Sequence, residues 1–253
     1  MVRPMNDTVT KEDSDPQTGS ERVFAFFREK VLSGELRTGD RLPAERDLAT
    51  QLNVGRPLLR ETMRSLAMLG LVDIRHGSGA FVGKADISVL TNFFTFSLAQ
   101  EQNVSEDIMQ ARMAIECQAI RLACERATDS DLDRIGGCLT ALINTLSDPE
   151  KGGMADFRFH AAIVQASHSQ ALITLYKAIS ELLKQNHVER RQVTHKTPEV
   201  IDDLVDSHRQ VFLSIVEGDG DAADRRLRQH FAIGDELRRK SIIAAFSSGG
   251  MAE

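Results

Sequence analysis

One stretch constrains the fold more than any other: Arg41 to Val82, RLPAERDLATQLNVGRPLLRETMRSLAMLGLVDIRHGSGAFV. Leu48 and Leu52 fall four apart, and Leu58, Leu59, Met63, Leu66 and Leu69 then recur at helical spacing, which predicts two short helices, each with a buried face. Asn53-Val54-Gly55 supplies the turn between them. Gly70 ends the second helix, Leu71-Val72-Asp73-Ile74 alternates as a strand, His76-Gly77-Ser78-Gly79 turns the chain, and Ala80-Phe81-Val82 returns. Helix, turn, helix and hairpin make a winged helix-turn-helix.

A helix held by a partner helix fits the major groove of DNA with its first residues facing the base edges. Arg56 and Arg60 occupy that position, one turn apart on one face. Arg46 on the preceding helix and Arg64 one turn further on are placed to reach phosphates or bases. The Gly77-Ser78-Gly79 tip is compact enough for backbone to approach the minor groove. The bland alternative, arginines that only solvate exposed helix faces, explains each residue but not their agreement with the helix-turn-helix pattern.

These residues carry a resemblance. The runs Leu42-Pro43-Ala44-Glu45-Arg46-Asp47-Leu48-Ala49, Arg56-Pro57-Leu58-Leu59-Arg60-Glu61 and Gly70-Leu71-Val72 resemble the DNA-binding domain of the GntR superfamily of bacterial transcription regulators. The resemblance implies that Arg46, Arg56 and Arg60 contact double-stranded operator DNA, with His76 and Gly77 at the wing. Where that family has Ser or Thr before the recognition helix, this chain has Gly55, which removes a hydroxyl cap and its phosphate contact.

A net charge of −6 argues against nucleic acid until its distribution is read. Residues 1–84 hold 13 Lys and Arg against 12 Asp and Glu, leaving 18 against 25 for residues 85–253. The acidity therefore lies in the second part, away from the expected DNA face. Residues 1–17 are polar and aperiodic and are expected to be a disordered tail; residues 18–83 form the winged domain, opened by a helix over 20–33. The junction 83–86 is too short for a free linker, so the two domains are expected to touch. No apolar run approaches the ~20 residues that span a bilayer, and the start lacks the apolar core of a signal peptide, so a cytoplasmic protein without a membrane partner is expected. Cys117, Cys124 and Cys138 form no CxxC and are odd in number, as reduced, buried thiols would be.

Beyond Asp86 every segment reads as helix, with predicted spans of 87–101, 104–127, 129–147, 152–168, 170–194, 198–217 and 220–245. The fold class is mainly α: a winged helix-turn-helix followed, over 87–246, by an all-α bundle. Bundles build ligand and metal sites from inward-facing side chains on several helices. Asp156 and His160 are four apart and share a helix face, while His208 and His230 each project among apolar neighbours. Imidazole and carboxylate together suit a divalent transition metal, zinc first, with manganese or nickel as alternatives. Spacing alone favours a plainer view, four unrelated core polar groups each satisfied by a hydrogen bond.

The same four residues, with the run Asp156-Phe157-Arg158-Phe159-His160 and with Gly218-Asp219, resemble the ligand pattern of the FCD effector domain in the FadR branch of GntR regulators. That resemblance implies a metal held by Asp156, His160, His208 and His230. It also implies that the helix carrying Arg112 contributes an arginine to an effector pocket. Glu116, four residues on, is placed either to partner Arg112 or to share the pocket, where a small carboxylate-bearing effector is the other anion available to a buried arginine. His76 is assigned to the wing, His168 to a helix break, and His187 and His195 to a polar stretch beside Arg190 and Arg191; the last three are kept out of the metal set. The expected function is a ligand-responsive repressor that binds an inverted repeat as a homodimer, and the rival is a metal-dependent enzyme carrying a DNA-binding domain.

Overall fold

The computed structural model describes residues 18–194 and 197–249, the last six without their side chains. The tail 1–17 and His195, on which expectations were placed above, lie outside the described residues. The chain divides into two compact units after Asp86.

The first unit orders as α1 (Gly19–Leu32), α2 (Glu45–Gln51), α3 (Arg56–Met68), β1 (Val72–Arg75) and β2 (Gly79–Val82). Thr18 opens α1 with a capping box: its hydroxyl accepts from Glu21 N–H while the Glu21 carboxylate accepts from Thr18 N–H. Gly55 caps α3 without a side-chain bond, and Pro57 in the first turn gives up an N–H that has no helical partner. The strands pair antiparallel with Val72 opposite Val82 and Arg75 opposite Gly79. Val23, Phe27, Leu48, Leu59, Met63, Leu66, Val72 and Val82 close one core. The apolar face of α3 is narrower than its spacing suggested: Leu58 is exposed and Leu69 half-buried, whereas Thr62 is buried. Leu58 instead lies against Gly19, where any Cβ would collide with it. Gly70 (φ +72°) has no room for a side chain, because a Cβ would stand 2.7 Å from Asp86 N. That close approach lets Gly83 N–H donate to Leu71 O (2.9 Å) and Asp86 N–H to Leu69 O (3.1 Å), so the junction residues belong to this unit.

The second unit is helical throughout its described residues: α4 (Ile87–Leu98), α5 (Val104–Arg126), α6 (Asp129–Thr145), α7 (Pro149–Ala166), α8 (Gln170–Ala178), α9 (Ser180–Val193), α10 (Pro198–Glu217) and α11 (Gly220–Gly249). Two expected boundaries are corrected. The helix expected to start at 152 starts at Pro149, because proline at the first position costs no hydrogen bond and the Asp148 carboxylate accepts from Glu150 and Lys151 N–H. The single helix expected over 170–194 breaks at Ile179 (φ −103°, ψ 11°) with no Gly or Pro to announce it. The break lets both Tyr176 and Leu182–Leu183 turn inward, into a core with Ile108, Ala119 and Phe157. A second cluster, centred on Phe159, Ile120, Ile135 and Leu227, joins α5, α6, α7, α10 and α11. Cys117 is buried, while Cys124 and Cys138 are half-buried rather than enclosed.

Candidate metal centre and nucleic-acid interface

Asp156, His160, His208 and His230, from α7, α10 and α11, are all buried, and one ligand atom from each lies within 4.8 Å of the others. Helical periodicity brings Asp156 and His160 to one face of α7; only tertiary packing brings the other two to it. The hydrogen bonds behind the rings assign their protons. His160 Nδ1 stands 2.6 Å from Glu116 Oε2 and His208 Nδ1 2.6 Å from the Leu204 carbonyl, so both donate there. Ser207 Oγ donates to Leu204 O and therefore accepts from His230 Nδ1 at 3.0 Å. Each Nε2 is left as a lone pair.

Those lone pairs face a carboxylate. Asp156 Oδ1 is 3.2 Å from His160 Nε2 and 3.1 Å from His208 Nε2, and His160 Nε2 has no hydrogen-bond partner. Acceptors this close in a dry interior repel unless a cation stands among them. Burial and the neighbouring histidines hold the His230 pKa well below its ordinary value, and burial lowers that of His208, so both are neutral at pH 7. Asp156 stays ionised: against its burial, Arg191, whose Nη2 donates to Oδ2 at 2.9 Å, and His187 hold its pKa well below the usual range. The donor set thus fits a divalent transition metal.

Glu116 organises the layer behind. It accepts from Arg112 Nε (2.8 Å), His160 Nδ1 and Tyr176 Oη (2.8 Å), and against complete burial Arg112 and His160 bring its pKa down to about 2. Arg112 therefore has Glu116 as its anion at Nε, while its Nη2 is buried without a partner and its guanidinium lies 4.8 Å from the centre of the Phe231 ring. Beside the cluster is a cavity of about 50 Å³ walled in part by Asp156, His230, Arg112, His187, Arg190 and Arg191. Glu116 is not on that wall; its carboxylate is taken up by Arg112, His160 and Tyr176.

Three wall residues went unseen in the sequence. His187, read as part of a polar stretch, is 2% exposed, with Nδ1 3.5 Å from Asp156 Oδ2 and Nε2 unpartnered. Burial and the Arg112 charge push its pKa down to about 3. The signal was present: Leu183, His187 and Arg191 are four apart, and all are buried. Arg190, paired to Asp235 at 2.6 Å, completes the α9 contribution. His168 sits at a positive φ of 49° after α7, half-exposed, with Nε2 2.7 Å from Asp131 and outside the four-residue cluster.

In the first unit a 750 Å³ groove runs between α3 and the wing. Arg46, Arg56, Arg60, His76 and Gly77 all line it, and Arg64, though exposed, does not. Arg41 and Arg75 line it too, unforeseen; Arg75 lies 4.2 Å over the Phe81 ring and pairs with Asp73. Glu45 accepts from Arg60 Nε at 2.7 Å, which holds that guanidinium at the mouth of the groove.

Residues 20–82 match the family described as bacterial regulatory proteins, gntR family, and residues 107–232 match the FCD domain. The chain is 33% identical over 218 residues to the "Putative L-lactate dehydrogenase operon regulatory protein" of Escherichia coli (strain K12), covering 84% of this chain and 82% of that one. It is 29% identical over 216 residues to the galactonate operon transcriptional repressor of the same organism, covering 81% and 90%. A solved structure, Streptococcus agalactiae GntR, superimposes with a TM-score of 0.58 at 23% identity over 88% of this chain and 98% of that one, a likeness of fold.

Proposed function

Since the chain belongs to the gntR family of bacterial regulatory proteins and carries an FCD domain, it is a transcriptional regulator, and we propose that it is a repressor released from DNA by a small organic acid. It binds an inverted-repeat operator as a homodimer, because one recognition helix buries too little surface for tight binding and paired half-sites supply the rest. Arg46, Arg56, Arg60, His76 and Gly77 face the groove of the operator, and Arg64 meets a phosphate at its edge.

The observation that carries the sensing half is the meeting of lone pairs at Asp156, His160 and His208 beside a cavity walled in part by Arg112 and His187, each of which buries one nitrogen without a partner. Asp156, His160, His208 and His230 hold a divalent metal, zinc first, which supplies a Lewis-acidic position for a carboxylate. Arg112 pairs with Glu116 and Arg191 with Asp156, so the buried charges balance before the ion arrives. Two added positive charges call for an anion, and Arg112 Nη2 is placed to bind it. A cavity of about 50 Å³ has room for roughly four water-sized groups, which suits a small acid. Of the two Escherichia coli relatives, one is named for the L-lactate dehydrogenase operon and the other as the repressor of the galactonate operon; both agree with this reading.

Binding pulls on α7, α9, α10 and α11 together, and α4 begins immediately after Asp86, whose N–H is held by Leu69. A switch from 99:1 to 1:99 occupancy needs about 5.5 kcal/mol of difference in ligand affinity between the two states. His208→Ala tests the assignment: the folded variant loses metal by elemental analysis, still binds operator in gel shifts, and no longer leaves it when small organic acids are added. A metal-free variant that leaves its operator at the parental acid concentration sinks the reading. Sedimentation that finds a monomer on a full operator sinks the dimer.

A further inference from the structure

We infer that the metal passes to and from the buried cluster through a cleft between α10 and α11, with the Ser207–His230 hydrogen bond as its gate, and not through the arginine-walled cavity that His230 also borders; the inference rests on the proposal that Asp156, His160, His208 and His230 hold a divalent ion.

His160 and His208 are 0% exposed, His230 7% and Asp156 8%, so an ion reaches them only through a wall of the bundle. Among the described residues, cavities of opposite charge border the cluster. The cavity of about 50 Å³ is bordered by Asp156 and His230 but also carries Arg112, Arg190 and Arg191. A larger one, of about 440 Å³, lies between a stripe of α10 that carries Asp203, Asp206 and Ser207 and a stripe of α11 that carries Arg226 and His230, three and four residues apart on each helix. Asp203 and Asp206 are exposed and enter no ion pair among the described residues. Arg226 on the same wall is already taken up, by Glu217 at 3.3 Å and by the Gln210 carbonyl. A divalent cation approaching three guanidinium groups is repelled, whereas two free carboxylates attract it, and its double charge enlarges both effects.

Of the four cluster residues, His230 alone lies on the wall of the larger cavity, and its hydrogen-bond partner Ser207 lies there with it. It is also the most loosely held of the three rings. His160 Nδ1 is anchored 2.6 Å from the Glu116 carboxylate and His208 Nδ1 2.6 Å from the Leu204 carbonyl, whereas His230 Nδ1 has only a neutral hydroxyl at 3.0 Å. That bond is the longest of the three and the weakest to break. Turning the His230 ring away therefore opens the cluster toward the acidic cleft while Asp156, His160 and His208 stay in place as a three-residue seat. Ser207 Oγ keeps its own bond to Leu204 O at 2.9 Å, so the acceptor that recaptures the ring does not move with it.

The test follows cobalt(II) ions into the chelator-treated full-length protein by stopped flow, using the visible absorption that changes when imidazole and carboxylate replace water on the ion, and follows release into excess EDTA. In the double variant Asp203→Asn with Asp206→Asn, two exposed changes that leave the core intact, the association rate constant should fall on the order of fivefold at ~10 mM salt, and the difference from the parent should nearly vanish at about 0.5 M, with release no faster than in the parent. Carboxylates that only stabilised the bound ion would leave loading alone and speed release. That result overturns the inference, as does a double variant that loads within about twofold of the parent at low salt. Ser207→Ala, which frees the His230 ring, should load and release the ion on the order of fivefold faster, the value of one neutral hydrogen bond; parental rates in both directions overturn the gate and the inference with it. All of these outcomes leave the four-residue metal site standing. If neither cobalt(II) nor zinc binds the parent protein, the inference falls together with the reading beneath it.

Discussion

Acidifying the metal-free protein from pH 7 to pH 5 should destabilise the second unit, and the buried histidines set the size of the effect. His187 has a pKa of about 3 in the fold against 6.5 as the ordinary value, so the native state refuses a proton that the unfolded chain accepts. A lowered histidine contributes stability that is complete above about pH 6.5 and is lost as the pH falls below it. At pH 5 the loss from His187 alone is about 2 kcal/mol, 1.5 pH units at ~1.36 kcal/mol each. His208 and His230 are shifted in the same direction and add to it, so about 2 kcal/mol is a lower bound. Glu116 and Asp156 have lowered values, so their contribution is intact above the unfolded carboxylate range and fades only below it. They do not mask the histidines in this window. The chain supplies its own reporter: it has one Tyr and no Trp, and Tyr176 is buried in the second unit with its hydroxyl on Glu116. Urea unfolding of the chelator-treated full-length protein, followed by tyrosine fluorescence at pH 7, 6 and 5, reads that unit without interference from the winged domain. An unfolding free energy that changes by less than about 0.5 kcal/mol between pH 7 and pH 5 would refute the neutral, buried imidazoles on which the lone-pair argument depends.

Gly153→Ala places a Cβ 2.7 Å from Val188 Cα and 2.9 Å from Val188 N, so α7 must part from α9; a loss of about 1–3 kcal/mol is expected in denaturant titrations, with lower metal content because Asp156 shifts against Arg191. At the operator, Arg60→Ala should weaken binding and relax preference at its base, whereas Arg64→Ala should weaken all sequences alike and lower the slope of log K against log salt by about one. Anisotropy titrations over a salt series decide it, and a slope unchanged in Arg64→Ala removes that phosphate contact.

Much of this protein was legible in its sequence because helix, turn and hairpin are written by local chemistry. The three- and four-residue spacing of Leu59, Met63 and Leu66 and the positive φ that Gly70 and Gly77 supply act over a few residues. Periodicity likewise put Asp156 and His160 on one face of α7. It misjudged Leu58 and Leu69, whose exposure depends on what α1 and the junction cover. The break at Ile179 had no turn residue to mark it, since the gain lies in burying Tyr176 and Leu183 against α5 and α7. For the same reason α9 read as a polar segment: mean polarity concealed a face formed by Leu183, His187 and Arg191. Only the packed helices decide that Glu116 also meets His160 and Tyr176, that Asp156 meets His208 and Arg191, and that His187 is buried beside them. Those partners are 35 to 60 residues apart in several cases, as in Arg191 with Asp156 and Tyr176 with Glu116. A sequence records which side chains can donate, accept or carry charge; the assignment of one buried donor to one acceptor depends on the dehydrated geometry that the whole bundle imposes.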